Sequence, residues 1–168
     1  DLIIVPLRAG KMDLSATTIF LDKHQEAVEL KGSDAVICLL SMEDGIFDLP
    51  DCRVRKITLE KSHSLKFFQT TFAKLMDDYK VKKVIIKERP TSGKFSGSAT
   101  GFKLEAAIQL IDNLNVELIT PAEIKARIKK NPIPVSFAET GLKAFQESAF
   151  VSAYADIMHT HSNPPESE

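Results

Sequence analysis

Apolar residues recur along the chain with two different periods, and these periods separate strands from helices. Short apolar or β-branched runs predict strands, while apolar residues three or four positions apart predict the buried faces of helices. The predicted strands lie at residues 27–30, 35–40, 52–59, 81–87 and 116–119. A Gly-Ser pair at residues 32–33 predicts a tight antiparallel hairpin between the first two strands.

The predicted helices alternate with the later strands. They lie at residues 64–79, at 102–111, in a short basic stretch that starts at Pro121, and at 140–158. Ser62 is the expected N-cap of the first helix, and Thr120 with Pro121 is a typical helix start. Three strands followed by alternating helices and strands predict a mixed α/β sheet of five strands. We expect the order 3-2-1-4-5, with strand two antiparallel and helices on both faces.

Composition narrows the function only a little. The chain has 168 residues, with 22 basic and 23 acidic ones and a net charge of -1, which disfavours broad electrostatic binding of nucleic acid. Basic residues cluster at 80–83 and 125–130, and we interpret both clusters as solvated surface. No apolar run of about 18 residues is long enough to cross a membrane. Cys38 and Cys52 have no metal-binding or redox spacing, so reduced thiols in a cytoplasmic protein are expected.

One domain is expected over residues 26–158. Residues 1–25 are expected to form an N-terminal arm or an extra strand. Residues 159–168 are polar with two prolines, and we expect a disordered tail there. Within the domain, Glu88 ends the apolar strand at 81–87 and therefore lies at the mouth of the sheet, where many α/β proteins bind their ligands. A Gly/Ser-rich loop follows it directly.

Several segments resemble the ribonuclease H-like superfamily. "GLKAFQESAFVSAYA" and "LITPAEIKARIKK" are similar to the final helix and the preceding strand and basic helix of RuvC-type resolvases. "VELKGSDAVICLL", "IKERPTSGKFSGSATGFKLEAA" and "ETGLKAFQESAF" are similar to a family of small bacterial proteins in that superfamily. The resemblance covers about residues 26–158 and implies a carboxylate cluster that holds Mg²⁺ or Mn²⁺ for phosphodiester hydrolysis.

The resemblance implies that Glu29 and Glu88, on adjacent strands, share this metal site. The third ligand is open between Glu147 and Glu139. Glu147 falls on a helical stripe with Phe150 and Tyr154, so we favour it, whereas Glu139 is adequately explained as a charge at a helix N-terminus. Two departures from the resolvases weaken the expectation of hydrolysis: their first-strand aspartate is replaced by Glu29, and Ser148 stands where their last helix carries an aspartate.

The loop at residues 90–101 supplies candidate contacts to a nucleic-acid phosphate. Lys94, Phe95 and Ser96 combine a cation, a stacking surface and a hydroxyl beside exposed backbone donors. A flexible connection explains the loop about equally well. Two functions therefore follow from the sequence. One is a metal-dependent nuclease that uses Glu29, Glu88 and Glu147, and the other is a non-catalytic binding module of the same fold.

Overall fold

A computed structural model of the chain describes residues 13–20, 34–43, 46–48, 55–58, 64–93 and 96–163, and every structural statement below refers to these residues. The strands are β1 (Asp13–Phe20), β2 (Asp34–Glu43), β3 (Ile46–Asp48), β4 (Arg55–Thr58), β5 (Lys83–Lys87) and β6 (Asn115–Ile119). The helices are α1 (Leu65–Asp78), α2 (Ala99–Gln109), α3 (Pro121–Lys130) and α4 (Glu147–Ser162), with 3₁₀ turns at Phe137–Thr140 and Ala144–Gln146. None of the helices in these ranges is both long and apolar enough to span a bilayer.

The sheet is mixed, with β1 between an antiparallel and a parallel neighbour. β1 pairs antiparallel with β2, where Phe20 lies opposite Ala35, and parallel with β5, where Thr18 lies opposite Ile86. β6 adds a second parallel pair beyond β5, and β3 and β4 both pair antiparallel with the outer edge of β2. The strand order is β3-β2-β1-β5-β6, with β4 also on β2.

This arrangement corrects the predicted strands at the amino-terminal end. Six strands form the described sheet where five were expected, because the outer edge of β2 pairs with two short strands. The strand beside β2 is Asp13–Phe20, from the segment expected to be an arm or an extra strand. Eight residue pairs join β1 to β2, a longer ladder than the four residues at 27–30 would allow. Residues 27–30 and the hairpin at 32–33 lie outside the described residues.

Helices cover both faces of the sheet. On β2, Ala35, Ile37 and Leu39 pack in one cluster with α1 and α2, while the alternate residues of the same strand face α4. On β5, Val84 and Ile86 join the α1/α2 cluster, and Ile85 packs on the opposite face with residues of α3 and α4. Strand alternation thus builds one core on the α1/α2 face and two apolar clusters on the opposite face.

Local sequence accounts for the helix starts. Ser64, not the predicted Ser62, caps α1 by accepting from the backbone N–H of Phe67 at 3.2 Å. Thr120 caps α3 as predicted and forms a capping box with Glu123. The hydrogen bond from the Thr120 hydroxyl to the Glu123 carboxylate, at 2.7 Å, holds the pKa of Glu123 below its usual range.

The last helix is shorter at its start and longer at its end than predicted. Gly141, at a φ of +69°, and two 3₁₀ turns occupy the region where the first turns were expected, so α4 begins at Glu147. At its other end α4 continues through His159 and His161 to Ser162, beyond the predicted boundary of the tail.

A buried ion-pair network joins α3 and α4 to the sheet. Asp156 of α4 is 2% exposed, and its carboxylate accepts from Arg127 of α3 at 2.9 Å and from Lys83 of β5 at 3.1 Å. Lys83 also contacts Glu117 of β6 at 2.9 Å. The interpretation of the two basic clusters as solvated surface is therefore wrong for Lys83 and Arg127, which pair with a buried carboxylate.

Replacing Asp156 should destabilise the fold strongly. In Asp156→Asn two partly buried cations lose their shared carboxylate, and removing one partner of a buried ion pair costs about 3 to 5 kcal/mol. Urea unfolding followed by circular dichroism measures this loss. Asp78→Asn is the matched control, because Asp78 forms an exposed pair with Lys74 and such pairs contribute about 0 to 1 kcal/mol. Equal losses in the two variants would contradict the assigned role of Asp156.

Candidate functional site at the carboxyl edge of the sheet

The parallel strands β1, β5 and β6 end at one edge of the sheet, which we call the carboxyl edge. Thr18 lies opposite Ile86, and Lys87 opposite Ile119, so the three strands end at nearly the same level. The chain also enters β2 at this edge, since Ala35 lies opposite Phe20. Ligands of open α/β sheets bind at this position in general, so side chains that follow these strands are candidates for a site.

Glu88 lies at the carboxyl edge directly after β5. Its backbone N–H donates to the carbonyl of Ile119 at 2.8 Å, which continues the parallel pairing by one residue. Its side chain is exposed, and among the described residues its carboxylate forms no ion pair with Lys87 or Arg89. The carboxylate of Glu88 is therefore accessible to a ligand at this edge.

The first turn of α4 reaches the same edge. Lys87, the last residue of β5, donates from its Nζ to the hydroxyl of Ser148 at 3.0 Å. Ser148 is half-buried and follows Glu147, the first residue of the helix. This contact brings Glu147 close to the end of β5, so two of the three predicted acidic residues lie at one edge.

Glu147 is exposed at the start of the helical stripe predicted for it. The sequence suggested a stripe shared with Phe150 and Tyr154 on the packed face of the helix. Phe150 and Tyr154 are buried, but Glu147 is exposed, because α4 begins at Glu147 and its side chain precedes the packed part of the helix. Its carboxylate faces solvent and is not held by packing.

Glu139, the alternative third carboxylate, serves as a cap. Its carboxylate accepts from the backbone N–H and from the hydroxyl of Ser136, both at 2.7 Å, in the capping box of the 3₁₀ turn Phe137–Thr140. The hydrogen bond from the Ser136 hydroxyl holds the pKa of Glu139 below its usual range. This arrangement agrees with the interpretation of Glu139 as a charge at a helix start.

A complete metal site is not formed by the described residues. Glu29 lies outside the described residues. It was predicted on the strand that pairs with β2, but the strand in that position is β1, Asp13–Phe20. Within the described ranges no three His, Cys, Asp or Glu side chains are grouped so as to hold a metal ion. Glu88 and Glu147 are hard oxygen donors suited to Mg²⁺ or Mn²⁺, but such ions generally need further ligands.

The loop after Glu88 is closed at its base. The backbone N–H of Gly97 donates to the carbonyl of Pro90 at 2.9 Å, and that of Ser96 to the carbonyl of Gly93 at 3.2 Å. Ser96 is half-buried, while Lys94 and Phe95 lie outside the described residues. These hydrogen bonds bring the two ends of the loop together beside the start of α2.

Arg89 anchors this loop to α2. Its guanidinium lies 4.5 Å from the centroid of the Phe102 ring and donates to Glu105 at 3.0 Å, and both side chains of the ion pair are less than one-sixth exposed. The guanidinium lies directly over Gly101, where an added Cβ would overlap it, and it also lies against Gly97. Only glycine at residue 101 leaves room for this packing.

Sequence reasoning missed Arg89, Lys87 and Asp156. The packing of Arg89 could have been predicted in part, because Gly97 and Gly101 lie four residues apart at a helix start. Glycines in such positions indicate the close approach of another group. Lys87 and Asp156 had no such signal, because their partners are distant in sequence. Ser148 is 61 residues from Lys87, and Lys83 is 73 residues from Asp156.

The fold is similar to that of RuvC proteins. The structure is similar to that of Thermus thermophilus RuvC, with a TM-score of 0.62 and 8% identity, over 89% of this chain and 96% of RuvC. It is also similar to T. thermophilus RuvC in complex with a Holliday junction substrate, with a TM-score of 0.61 and 8% identity, over 90% of this chain and 96% of that one.

The chain belongs to the family described as protein of unknown function DUF3010, whose model matches residues 26–156. No curated protein matches the chain. The matched range includes Glu29, Glu88 and Glu147 and ends at Asp156, whereas β1 precedes it.

Gly101→Ala should have opposite effects in two backgrounds. In the wild type the new methyl group displaces Arg89, and overpacking of this kind costs about 1 to 3 kcal/mol. In an Arg89→Ala background the overlap with the guanidinium is gone and the nearest remaining contact is with Ser98 Oγ at 3.2 Å, so alanine should stabilise the helix by up to about 1 kcal/mol. Urea unfolding of the four proteins in this double-mutant cycle measures both effects. Destabilisation of similar size in both backgrounds would exclude Arg89 as the reason for Gly101.

Proposed function

We propose that this protein binds nucleic acid at the carboxyl edge of its sheet and hydrolyses phosphodiester bonds with Mg²⁺ or Mn²⁺. The observation that carries the proposal is the contact between Lys87 and Ser148, because it brings Glu88, which follows β5, and Glu147, which begins α4, to one edge. The similarity to RuvC, one structure of which holds a Holliday junction substrate, supports nucleic acid as the ligand class.

Glu29, Glu88 and Glu147 are the proposed metal ligands and catalytic residues. A bound divalent ion in such a site supplies an activated water and neutralises charge on the phosphate. The exposed carboxylates of Glu88 and Glu147 suit this role, since neither forms an ion pair among the described residues. Glu29 belongs to the segment between β1 and β2, and both strands meet that segment at the carboxyl edge. The chain path is therefore compatible with Glu29 as the third ligand.

Lys94, Phe95 and Ser96 are the proposed substrate-binding residues. They lie in the loop that Arg89 anchors, and this loop starts two residues after Glu88. A loop held firmly at its base can present a cation and an aromatic ring to the nucleic-acid backbone beside the carboxylates.

A non-catalytic binding module is the second candidate. Lys87 favours it, because an ammonium group between the end of β5 and the start of α4 competes electrostatically with a metal ion. In that case the same edge binds nucleic acid, and the glutamates have no metal to hold.

Manganese or magnesium should stabilise the wild-type protein. An ion that binds only the folded state at ten times its Kd adds about 1.4 kcal/mol, which raises the melting temperature measurably. Glu88→Gln should abolish the response and leave the apo protein at least as stable, because it removes charge repulsion among the carboxylates. Thermal melts with and without each ion, and cleavage assays on four-way-junction, duplex and single-stranded substrates, test both parts.

Glu105→Gln and Glu139→Gln serve as controls, since Glu105 pairs with Arg89 and Glu139 caps a 3₁₀ turn. Both variants should keep the metal response. If millimolar manganese does not stabilise the wild type, or if Glu88→Gln and the Glu29 and Glu147 variants all keep the response, the binding module replaces the enzyme.

The loop should become protected when nucleic acid binds. Hydrogen exchange followed by mass spectrometry should show slower exchange of peptides containing Lys94, Phe95 and Ser96 in the presence of DNA or RNA at low salt. Peptides from the carboxyl-terminal half of α1 lie away from the loop and should not change. If none of branched, duplex and single-stranded nucleic acids changes the exchange of the loop relative to the free protein, the loop is not part of the binding surface.

A further inference from the structure

Two lysines on the same face of β5 have contrasting surroundings. Lys83 and Lys87 begin and end the strand, both are half-buried, and both side chains contact α4. The ammonium group of Lys83 lies within 3.1 Å of oxygens from Asp156 and Glu117, so two carboxylates compensate its charge. These two positions provide an internal comparison on one strand.

The charge of Lys87 is not compensated in this way. Its Nζ donates to the Ser148 hydroxyl at 3.0 Å, and in the described part of the chain no carboxylate lies within ion-pair distance of it. Glu88 and Glu147, next to these two residues in the chain, form no ion pair with Lys87. A hydroxyl satisfies one N–H of an ammonium group that has three, and it does not neutralise the positive charge.

We infer that Lys87 and Ser148 together bind a phosphate group of the nucleic-acid backbone. This inference rests on the proposed function for its ligand class. A half-buried cation without a counter-ion destabilises the folded protein. At the carboxyl edge, where ligands bind, an anionic ligand would compensate this charge. Lys87 donates to the phosphate, and Ser148, which accepts from Lys87, directs its own hydroxyl proton to a second phosphate oxygen.

The pair also suits the surrounding charges. Glu88 and Glu147 at the same edge would repel a phosphate group, and the ammonium of Lys87 counters that repulsion at close range. The pair thereby holds the phosphodiester next to the carboxylates without depending on a bound metal ion. Lys87 is thus assigned to binding and not to the ion-pair network that holds the fold together.

The test measures binding without metal. Fluorescence anisotropy with single-stranded and four-way-junction DNA, in EDTA over a range of salt concentrations, compares wild type with Lys87→Met and Ser148→Ala. Methionine keeps the apolar stem and removes the charge. Lys87→Met should weaken binding about tenfold. It should also reduce the slope of log affinity against log salt concentration by about 1, which corresponds to one lost phosphate contact. Ser148→Ala should weaken binding about threefold with the slope unchanged, since it loses one neutral hydrogen bond.

Lys74→Met is the matched control. It removes the same charge from an exposed lysine that is paired with Asp78 in the carboxyl-terminal half of α1. Its affinity and slope should remain within about twofold of the wild type. The melting temperature gives a second readout, because Lys87→Met should be at least as stable as the wild type. Clear destabilisation by Lys87→Met would identify a structural lysine and overturn the inference.

Inorganic phosphate separates this inference from hydrolysis. In nuclear magnetic resonance titrations with phosphate alone, the amide signals of Ser148 and Glu88 should shift in the wild type and not in Lys87→Met. Such a response in a protein that cleaves nothing would retain the phosphate site and reject the nuclease. The opposite outcome is metal-dependent cleavage by a protein whose DNA affinity, salt slope and phosphate response do not depend on Lys87. That outcome would reject the phosphate site and retain the nuclease. A Lys87-independent result in both binding assays overturns the inference.

Discussion

The carboxylate of Asp156, shared between Lys83 and Arg127, fixes the register in which the apolar face of the final helix packs on the sheet. Burying a carboxylate costs several kcal/mol unless cations and hydrogen bonds compensate it, so the helix is stable only where both cations reach Asp156. From Asp156 back to Ser148 the helix rises about 12 Å, and from Lys83 to Lys87 the strand rises about 13 Å. The two elements run antiparallel with matched lengths, so fixing one end places Ser148 beside Lys87 at the other.

The opposite face of the sheet positions the loop by different means. Arg89 leaves the end of β5 and packs over the first turn of α2, where it stacks on Phe102 and pairs with Glu105. This contact depends on Gly101, whose missing side chain lets the guanidinium approach the helix. The carboxyl edge is therefore held from both faces, by an ion-pair network on one and by a packed arginine on the other. Between them Glu88 and Glu147 remain exposed.

Local patterns predicted the elements from α1 to α3 well, because periodicity, caps and turn residues act within a few positions. Thr120 and Pro121 mark the start of α3 without reference to the rest of the chain. The identity of β1 was not predictable in this way, because its pairing with β2 joins residues that are distant in sequence. Glu147 lies on the predicted stripe of the last helix, but Gly141 and the 3₁₀ turns delay the helix, so Glu147 is its first residue and is exposed. No local pattern marks Asp156, because its burial depends on cations from two other elements.

A fold shared with RuvC at 8% identity determines where the carboxyl edge is and leaves open which side chains occupy it. Here the edge carries acidic and basic groups side by side: Glu88 and Glu147, and the half-buried Lys87 held by Ser148. A phosphodiester is an anion, so carboxylates alone repel it and need a cation to bring it close. Lys87 is a covalently attached cation, present at every stage of binding, whereas a metal ion is bound only when its concentration allows. Under the proposed function, an edge of this composition would bind nucleic acid before any metal ion binds, so binding and hydrolysis would be separable properties of one site.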